Sequence, residues 1–318
     1  MSVVTIAIPT YDRLEYLKEA VASARSQTYG EIEILIGDDG TSREMEEWSK
    51  AISSLDSRVR YQRNKQNLGM AGNWNALADA ARGEFMVIIG DDDRLLPNFV
   101  GKLVALIQPG ASVAFSNHFL IDSDGRRLHQ ESIAWTSRYH RDQLPAGSVA
   151  DAAACVWHNS VPISAALVRT RDVQRLRFKE DLNTPEIELF ARLANEGAQF
   201  VFTPDYLVEY RTHPASATTN GLRSEALAAR LCDIPVPPDV EPIKREFMAG
   251  VLVDAVSRCL RRGDREAAHQ FLRSAYYPHG ARGWKPAVTY LAQAVCADLP
   301  TGIGSGAYRL MQRAKAAI

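Results

Sequence analysis

Between residues 3 and 90, four short apolar runs alternate with three stretches whose apolar residues recur every three or four positions. VVTIAIP (3–9), IEILIGDD (32–39), VRYQRN (59–64) and FMVIIG (85–90) read as strands. Leu14, Leu17, Val21 and Ala24 mark the first helix, Met45, Trp48 and Ile52 the second, and Trp74, Leu77, Ala78 and Ala81 the third. Strand and helix in alternation predict a mostly parallel sheet covered on both faces. Runs such as IEILI and FMVII lack a polar face, as strands buried on both sides require.

That topology decides where polar residues gather. In open α/β sheets ligands bind beyond the carboxyl ends of the strands. Pro9, Thr10, Tyr11 and Asp12 follow the first strand, Asp38 and Asp39 close the second, and Asp91, Asp92 and Asp93 follow the fourth. Three polar clusters are therefore predicted on one rim. Neighbouring carboxylates repel unless they are solvated or neutralised by a cation. The bland reading of Asp91 to Asp93 is an acidic turn. The functional one is a clamp for a hard divalent ion, which takes one or two carboxylates together with phosphate oxygens.

A chain of 318 residues, 46% of them hydrophobic, can bury a sizeable core. With 37 basic and 38 acidic residues the net charge is −1, so no global field draws it to nucleic acid or an anionic membrane. Cys155, Cys232, Cys259 and Cys296 lie far apart without metal-binding spacing, as expected of reduced thiols in a cytoplasmic protein. MSVVTIAIPT has neither the basic start nor the cleavage site of a signal peptide, and no apolar run is long enough to span a bilayer.

After residue 100 the regularity breaks. ASVAFSNHFLID, DSDG and RRLHQE read as a hairpin with an Asp-Gly turn, and PISAALVRT as a further strand. The stretch 123–148, with Trp135, Tyr139, His140 and Arg141, reads as an irregular loop, either a lid or part of an acceptor pocket. Thr184 and Pro185 open a helix, PEIELFARLANEG, as N-cap and first-turn residue. AQFVF and YLVEYRTH are two more strand candidates. Pro- and Ser-rich sequence from about 212 to 243 reads as the exit from a first domain, 1–220, into a helical extension, 221–318.

IPTYDRLEYLKEAVASARSQTYGEIEILIGDDGT, NLGMAGNWNALADAARGEFMVIIGDDDRLLP, and PEIELFARLANEG with LVEYRTH occur in the order and spacing of a known family. Over roughly residues 3 to 214 the chain resembles the family 2 glycosyltransferases of GT-A fold. The resemblance implies a nucleoside-diphosphate sugar as donor, a hydroxyl acceptor, inversion at the anomeric carbon, Mg²⁺ or Mn²⁺, and a role in polysaccharide or glycoconjugate biosynthesis. Pro9, Thr10, Tyr11 and Asp12 then match the nucleoside cradle. Asp39, or its neighbour Asp38, matches the base contact; a carboxylate there accepts the imide N–H of uracil or thymine, favouring UDP or dTDP sugars. Asp93 matches the metal ligand, and Asp91 and Asp92 compete for the ribose or a metal-bound water. His213 matches a histidine that reaches the metal or the diphosphate, set against a plain loop residue, and Arg211 is open between phosphate contact and solvated strand end.

Two departures stand out. Where the family usually carries Glu-Asp with the aspartate as base, this chain has Pro185 and Glu186, which puts Glu186 in the base position, weighed against a first-turn acid favoured by the helix dipole. Where many relatives carry Ala-Arg-Asn, it has Asn73, Trp74 and Asn75, and periodicity assigns Trp74 to the core.

Other classes fit less well. A nucleotidyltransferase or a dehydrogenase needs a glycine-rich turn after the first strand, and AIPTYDR has none. A sugar-binding module without turnover stays open and differs by its lack of transfer activity. The terminal AYRLMQRAKAAI, basic and amphipathic, reads as a packed helix, a homodimer contact or a peripheral membrane contact near a lipid-linked saccharide acceptor.

Overall fold

The computed structural model describes residues 2–107, 110–212, 223–279, 292–299 and 301–316. Two compact units divide the chain, Met1–Gly221 and Leu222–Ile318.

The first unit is built on a sheet of ten strands: β1 (Val4–Thr10), β2 (Ile32–Asp38), β3 (Val59–Arg63), β4 (Phe85–Ile88), β5 (Arg94–Leu95), β6 (Ala111–Ile121), β7 (Arg127–Leu128), β8 (Gly147–Ser148), β9 (Ala166–Arg169) and β10 (Gln199–Arg211). Their order is β3-β2-β1-β4-β9-β6-β10-β5, with β7 on β6 and β8 on β10. The long ladders, β1 with β2 and β6 with β10, run parallel, while the antiparallel pairings are only two or three residues long. The expected α/β sheet is therefore present, parallel through β3-β2-β1-β4 and mixed beyond.

Helices α1 (Leu14–Arg25), α2 (Arg43–Leu55), α3 (Gly69–Ala80) and α4 (Phe99–Leu106) fill the first half. Leu17, Val21 and Ala24 of α1 are buried, as their spacing predicts. Met45 is buried while Trp48 and Ile52 pack on the same core from the edge. Ser42 caps α2, its hydroxyl accepting the Met45 N–H at 3.2 Å. Trp74 is buried, with Phe178 edge-on at 5.2 Å, and so belongs to the core.

Three expectations for the second half need correction. The stretch 123–148 contains a helix, α5 (His129–Arg138), which cuts the second arm of the hairpin to the two residues of β7. AQFVF and YLVEYR form one strand, β10, with a register irregularity between Thr203 and Tyr206 where Pro204 stands. The remaining helices here are α6 (Ala152–Trp157), α7 (Thr170–Leu176) and α8 (Pro185–Asn195). Thr184 holds the N-cap place of α8, but its hydroxyl makes no cap bond.

The second unit is helical: α9 (Ser224–Leu231), α10 (Glu241–Arg262), α11 (Arg265–Leu272), α12 (292–298) and α13 (Thr301–Ala316). Lys244 is buried and donates to the Cys232 and Ile234 carbonyls at 2.8 and 2.6 Å, closing the end of α9. Gln293 is buried within hydrogen bonds to Tyr277, Ser257 and Tyr308. No helix among the described residues is long and apolar enough to cross a membrane.

One clamp ties α3 to the chain leading into α8. The buried Asn75 amide donates to the Phe178 carbonyl and accepts the Phe178 N–H, both at 2.9 Å. Removing it orphans two buried backbone groups at about 1–3 kcal/mol each. Asn75→Ala is expected to lower unfolding stability by about 2–4 kcal/mol in a urea titration; an unchanged midpoint would refute the clamp.

Candidate active site

The register of β1 with β2, and of β2 with β3, sets Thr10, Asp38 and Arg63 side by side at the carboxyl ends of three parallel strands. The polar clusters do share one rim. Their carboxylates are committed to different tasks.

Asp38 is fully buried. Its Oδ2 accepts from the Tyr61 hydroxyl at 2.7 Å and from Arg63, while Oδ1 accepts the Gly40 N–H at 2.8 Å. With both oxygens engaged, it fastens β2 to β3. Asp39 turns to the start of α3, accepting the Leu68 and Gly69 N–H groups at 2.8–3.0 Å and the Asn64 amide at 3.0 Å. Gly69 has φ +72°, and the unpaired N–H groups of the helix start suit an anion. Asp12, also at positive φ (51°), accepts the Thr41 and Ser42 N–H groups at 3.0 and 2.8 Å. A Cβ on Gly40 would overlap the Asp12 carboxylate, so the close approach of these two loops needs glycine there. Pro9 is half-buried and Tyr11 stands out with 55% of its surface exposed.

Asp91 is also fully buried. Its Oδ2 accepts the Thr10 hydroxyl at 2.7 Å, and Arg13 pairs with its Oδ1 while holding Asp92 at 2.8 Å. Burial pushes the Asp91 carboxyl up to about 6 against the pull of Arg13. Arg13 thus bridges the loop after β1 to the acidic turn after β4. Asp93, nearly buried, accepts the Arg211 backbone N–H on Oδ1 at 2.9 Å. Burial first, then the Asp92 charge, raises its carboxyl well above the ordinary range.

Arg211 is neither a solvated strand end nor open to a phosphate. Its buried guanidinium donates to the carbonyls of Asp92 (2.8 Å) and Ser123 (2.9 Å) and pairs with Glu19 at 2.6 Å. It locks the acidic turn to the end of β10. His213 lies outside the described residues.

At the first turn of α8, Glu186 is half-buried, yet its Oε2 is shielded from solvent and makes no hydrogen bond. Burial raises its carboxyl to about 7. Glu188 instead pairs with Arg192 at 2.7 Å within the same helix. Among the described residues no hydrogen bond or ion pair joins Glu186 to the Asp91–Asp93 turn.

Among the described residues Arg13 is the cation that pairs with this turn, Arg211 being paired with Glu19. Among the described residues no group of three or more His, Cys, Asp or Glu side chains is placed to hold a metal. Asp92, paired with Arg13, and Asp93, bonded to the Arg211 N–H, are the two carboxylates of the turn that keep some exposure.

Sequence reading did not single out Arg13. Arginine beside Asp12 gave no local sign of partners about eighty positions away. Arg13→Ala is expected to cost about 1–3 kcal/mol at pH 7.5, the half-exposed arginine moderating the loss of its buried partner. Because the Asp91 carboxyl stays protonated below about 6, the cost should shrink at pH 5. Urea unfolding at both pH values checks this; a pH-independent cost would contradict it.

Residues 5–161 match the family model described as Glycosyl transferase family 2. The chain is 30% identical over 126 residues to a GalNAc(5)-diNAcBac-PP-undecaprenol beta-1,3-glucosyltransferase of Campylobacter jejuni, covering 39% of this chain and 40% of the relative. It is 32% identical over 124 residues to glycosyltransferase GlyG of Streptococcus pneumoniae, covering 38% and 41%. The matches thus span about two fifths of the length of these relatives. Among solved structures, S. aureus TarS 1–349 in complex with UDP-GlcNAc superimposes with TM-score 0.66 at 13% identity, over 97% of this chain and 92% of that one. Mannosyltransferase PcManGT of Pyrobaculum calidifontis, in complex with GDP-Man and Mn²⁺, gives 0.58 at 15%, over 97% and 84%. At such identities the likeness establishes the fold, which is GT-A.

Proposed function

Residues 5–161 belong to glycosyl transferase family 2, and on that premise we propose that the protein transfers a sugar, with inversion, from a nucleoside diphosphate to an acceptor hydroxyl in glycoconjugate or polysaccharide assembly. The observation that carries the reading is the Asp91–Asp93 turn, held at the strand ends by Arg13 and by the Arg211 N–H. Such a turn suits a diphosphate and its counter-ion and has no evident use in a purely structural loop.

In this reading the exposed Tyr11 ring stacks on the nucleoside base, with Pro9 and Thr10 behind it. Asp39, unlike the fully buried Asp38, retains slight exposure and is the better placed to meet a uracil or thymine. Asp92, partly open, takes the ribose or a water; Asp91 is committed to Thr10 and Arg13 and acts through them. Asp93, with Asp92 and His213, would hold Mg²⁺ or Mn²⁺, which when bound offsets charge on the leaving diphosphate. Glu186 accepts the acceptor hydroxyl's proton as that oxygen attacks the anomeric carbon, and the diphosphate leaves from the opposite face.

Burial suits Glu186 to this task. A carboxylate raised to about 7 is a stronger base than a solvated one and is still half ionised near neutral pH. The sign of the dependence follows: kcat/KM should rise with pH through about 7 and then level. The native state holds this proton more tightly than the unfolded chain, so between about 4.3 and about 7 the group's contribution to stability falls as pH rises. Glu186→Gln is expected to lower kcat by about 10²–10⁴ while leaving donor affinity within a few-fold. Donor turnover across pH 5–9 with both proteins checks this; full activity in the glutamine variant would remove Glu186 from the reaction. Binding of nucleotide sugar with no turnover in the wild type would instead favour a sugar-binding module.

A further inference from the structure

Arg141 and His118 form a second polar centre that the transfer chemistry does not use. Arg141 is 2% exposed, yet it has no ion pair among the described residues. Its Nε donates to Asn117 Oδ1 at 3.0 Å and Nη1 reaches the Ser160 carbonyl at 3.4 Å, while Nη2 is buried without a partner. His118 is 3% exposed and both of its ring nitrogens are buried and unpartnered. A buried guanidinium with no counter-charge and an imidazole with neither of its hydrogen bonds are costly in an unliganded interior. Both call for a partner that the described residues do not supply.

The surroundings say what kind. Trp135, Tyr139 and Tyr210 are half-buried and stand around this centre, with ring centroids of Trp135 and Tyr210 6.1 and 5.6 Å from that of His118. Trp135 lies edge-on to Tyr139 at 5.6 Å, and the Arg141 guanidinium lies 5.5 Å from the Tyr139 ring centre. A buried cation beside partly exposed aromatic rings fits an anionic group carried on a sugar ring. The centre is also next to the acidic turn in the chain: Tyr210 precedes Arg211, whose N–H binds Asp93.

We propose that Arg141 and His118, beside Trp135, Tyr139 and Tyr210, form an acceptor subsite for a saccharide bearing a carboxylate or a phosphate. The subsite rests on the transfer reading for its role and on the unpartnered donors for its ligand class. Arg141 supplies the charge through Nη2. Burial and the Arg141 charge push the imidazole down to about 3, so His118 stays neutral and offers one N–H to the oxyanion and one nitrogen lone pair to a sugar hydroxyl.

Two arms test it. In EDTA at constant ionic strength, inorganic phosphate and glucuronate are titrated against the full chain, reading Tm. A saturable rise of about 5 °C at roughly 100 times Kd is expected, absent in Arg141→Met and in His118→Phe, which keep bulk should either variant alone fold poorly. No saturable rise in the wild type, or an equal rise in both variants, overturns the subsite. In the second arm, transfer is compared on neutral saccharides and on their uronic acid or phosphorylated counterparts. The charged-to-neutral ratio of kcat/KM should fall about 10- to 100-fold in Arg141→Met. A Tm effect with that change in ratio places the anion on the acceptor; a Tm effect without it assigns the centre to a free oxyanion and overturns the acceptor role. Absence of transfer to every acceptor, with the Tm effect intact, counts against the transfer reading and leaves the anion centre standing.

Discussion

Arg13 reaches from the loop after β1 to Asp91 and Asp92 in the turn after β4, and the rest of the rim is arranged around that bridge. Without a positive charge there, a buried aspartate and its two acidic neighbours would end a strand that is apolar on both faces. Thr10 beneath Asp91 and the Arg211 N–H on Asp93 complete the support. These partners come from two other strand ends, Thr10 and Arg13 from that of β1 and Arg211 from that of β10. The turn is therefore shaped by the sheet as a whole and not by its own sequence.

The same logic separates carboxylates that build the site from those that face it. Asp38 joins β2 to β3 and Asp12 fastens the loop at Gly40, their oxygens largely used by backbone and side-chain donors, while Asp39, proposed to meet the base, also holds the start of α3. Asp93 and Glu186 differ, for burial disfavours their charge and neither forms an ion pair among the described residues. Groups raised in this way suit charge neutralisation and proton transfer.

Much of this was legible in the sequence because burial on both faces writes itself as an apolar run. β1, β2 and β4 were found on that ground, and their order fixed the rim. α5 was not, since the residues it buries are Ser132 and Thr136, whose hydroxyls bond to the Leu120 N–H, the Leu128 carbonyl and Tyr206, so no apolar stripe betrays it. AQFVF and YLVEYRTH read as two strands, while the structure runs them through Pro204 as one, with an irregularity of the ladder. The roles of Arg13, Arg141 and Arg211 depend on partners far away in the chain, where residue type and spacing carry no signal.

The central claim is that the Asp91–Asp93 turn receives a diphosphate together with a divalent ion. Calorimetric titration of UDP and GDP into the full chain, with Mn²⁺ and with EDTA, tests it most directly when repeated on Asp93→Asn. The account predicts binding of at least one nucleotide in Mn²⁺, weakened at least tenfold both by EDTA and by the substitution, a loss of about 1.4 kcal/mol or more. Nucleotide binding of equal strength in all three conditions would contradict it.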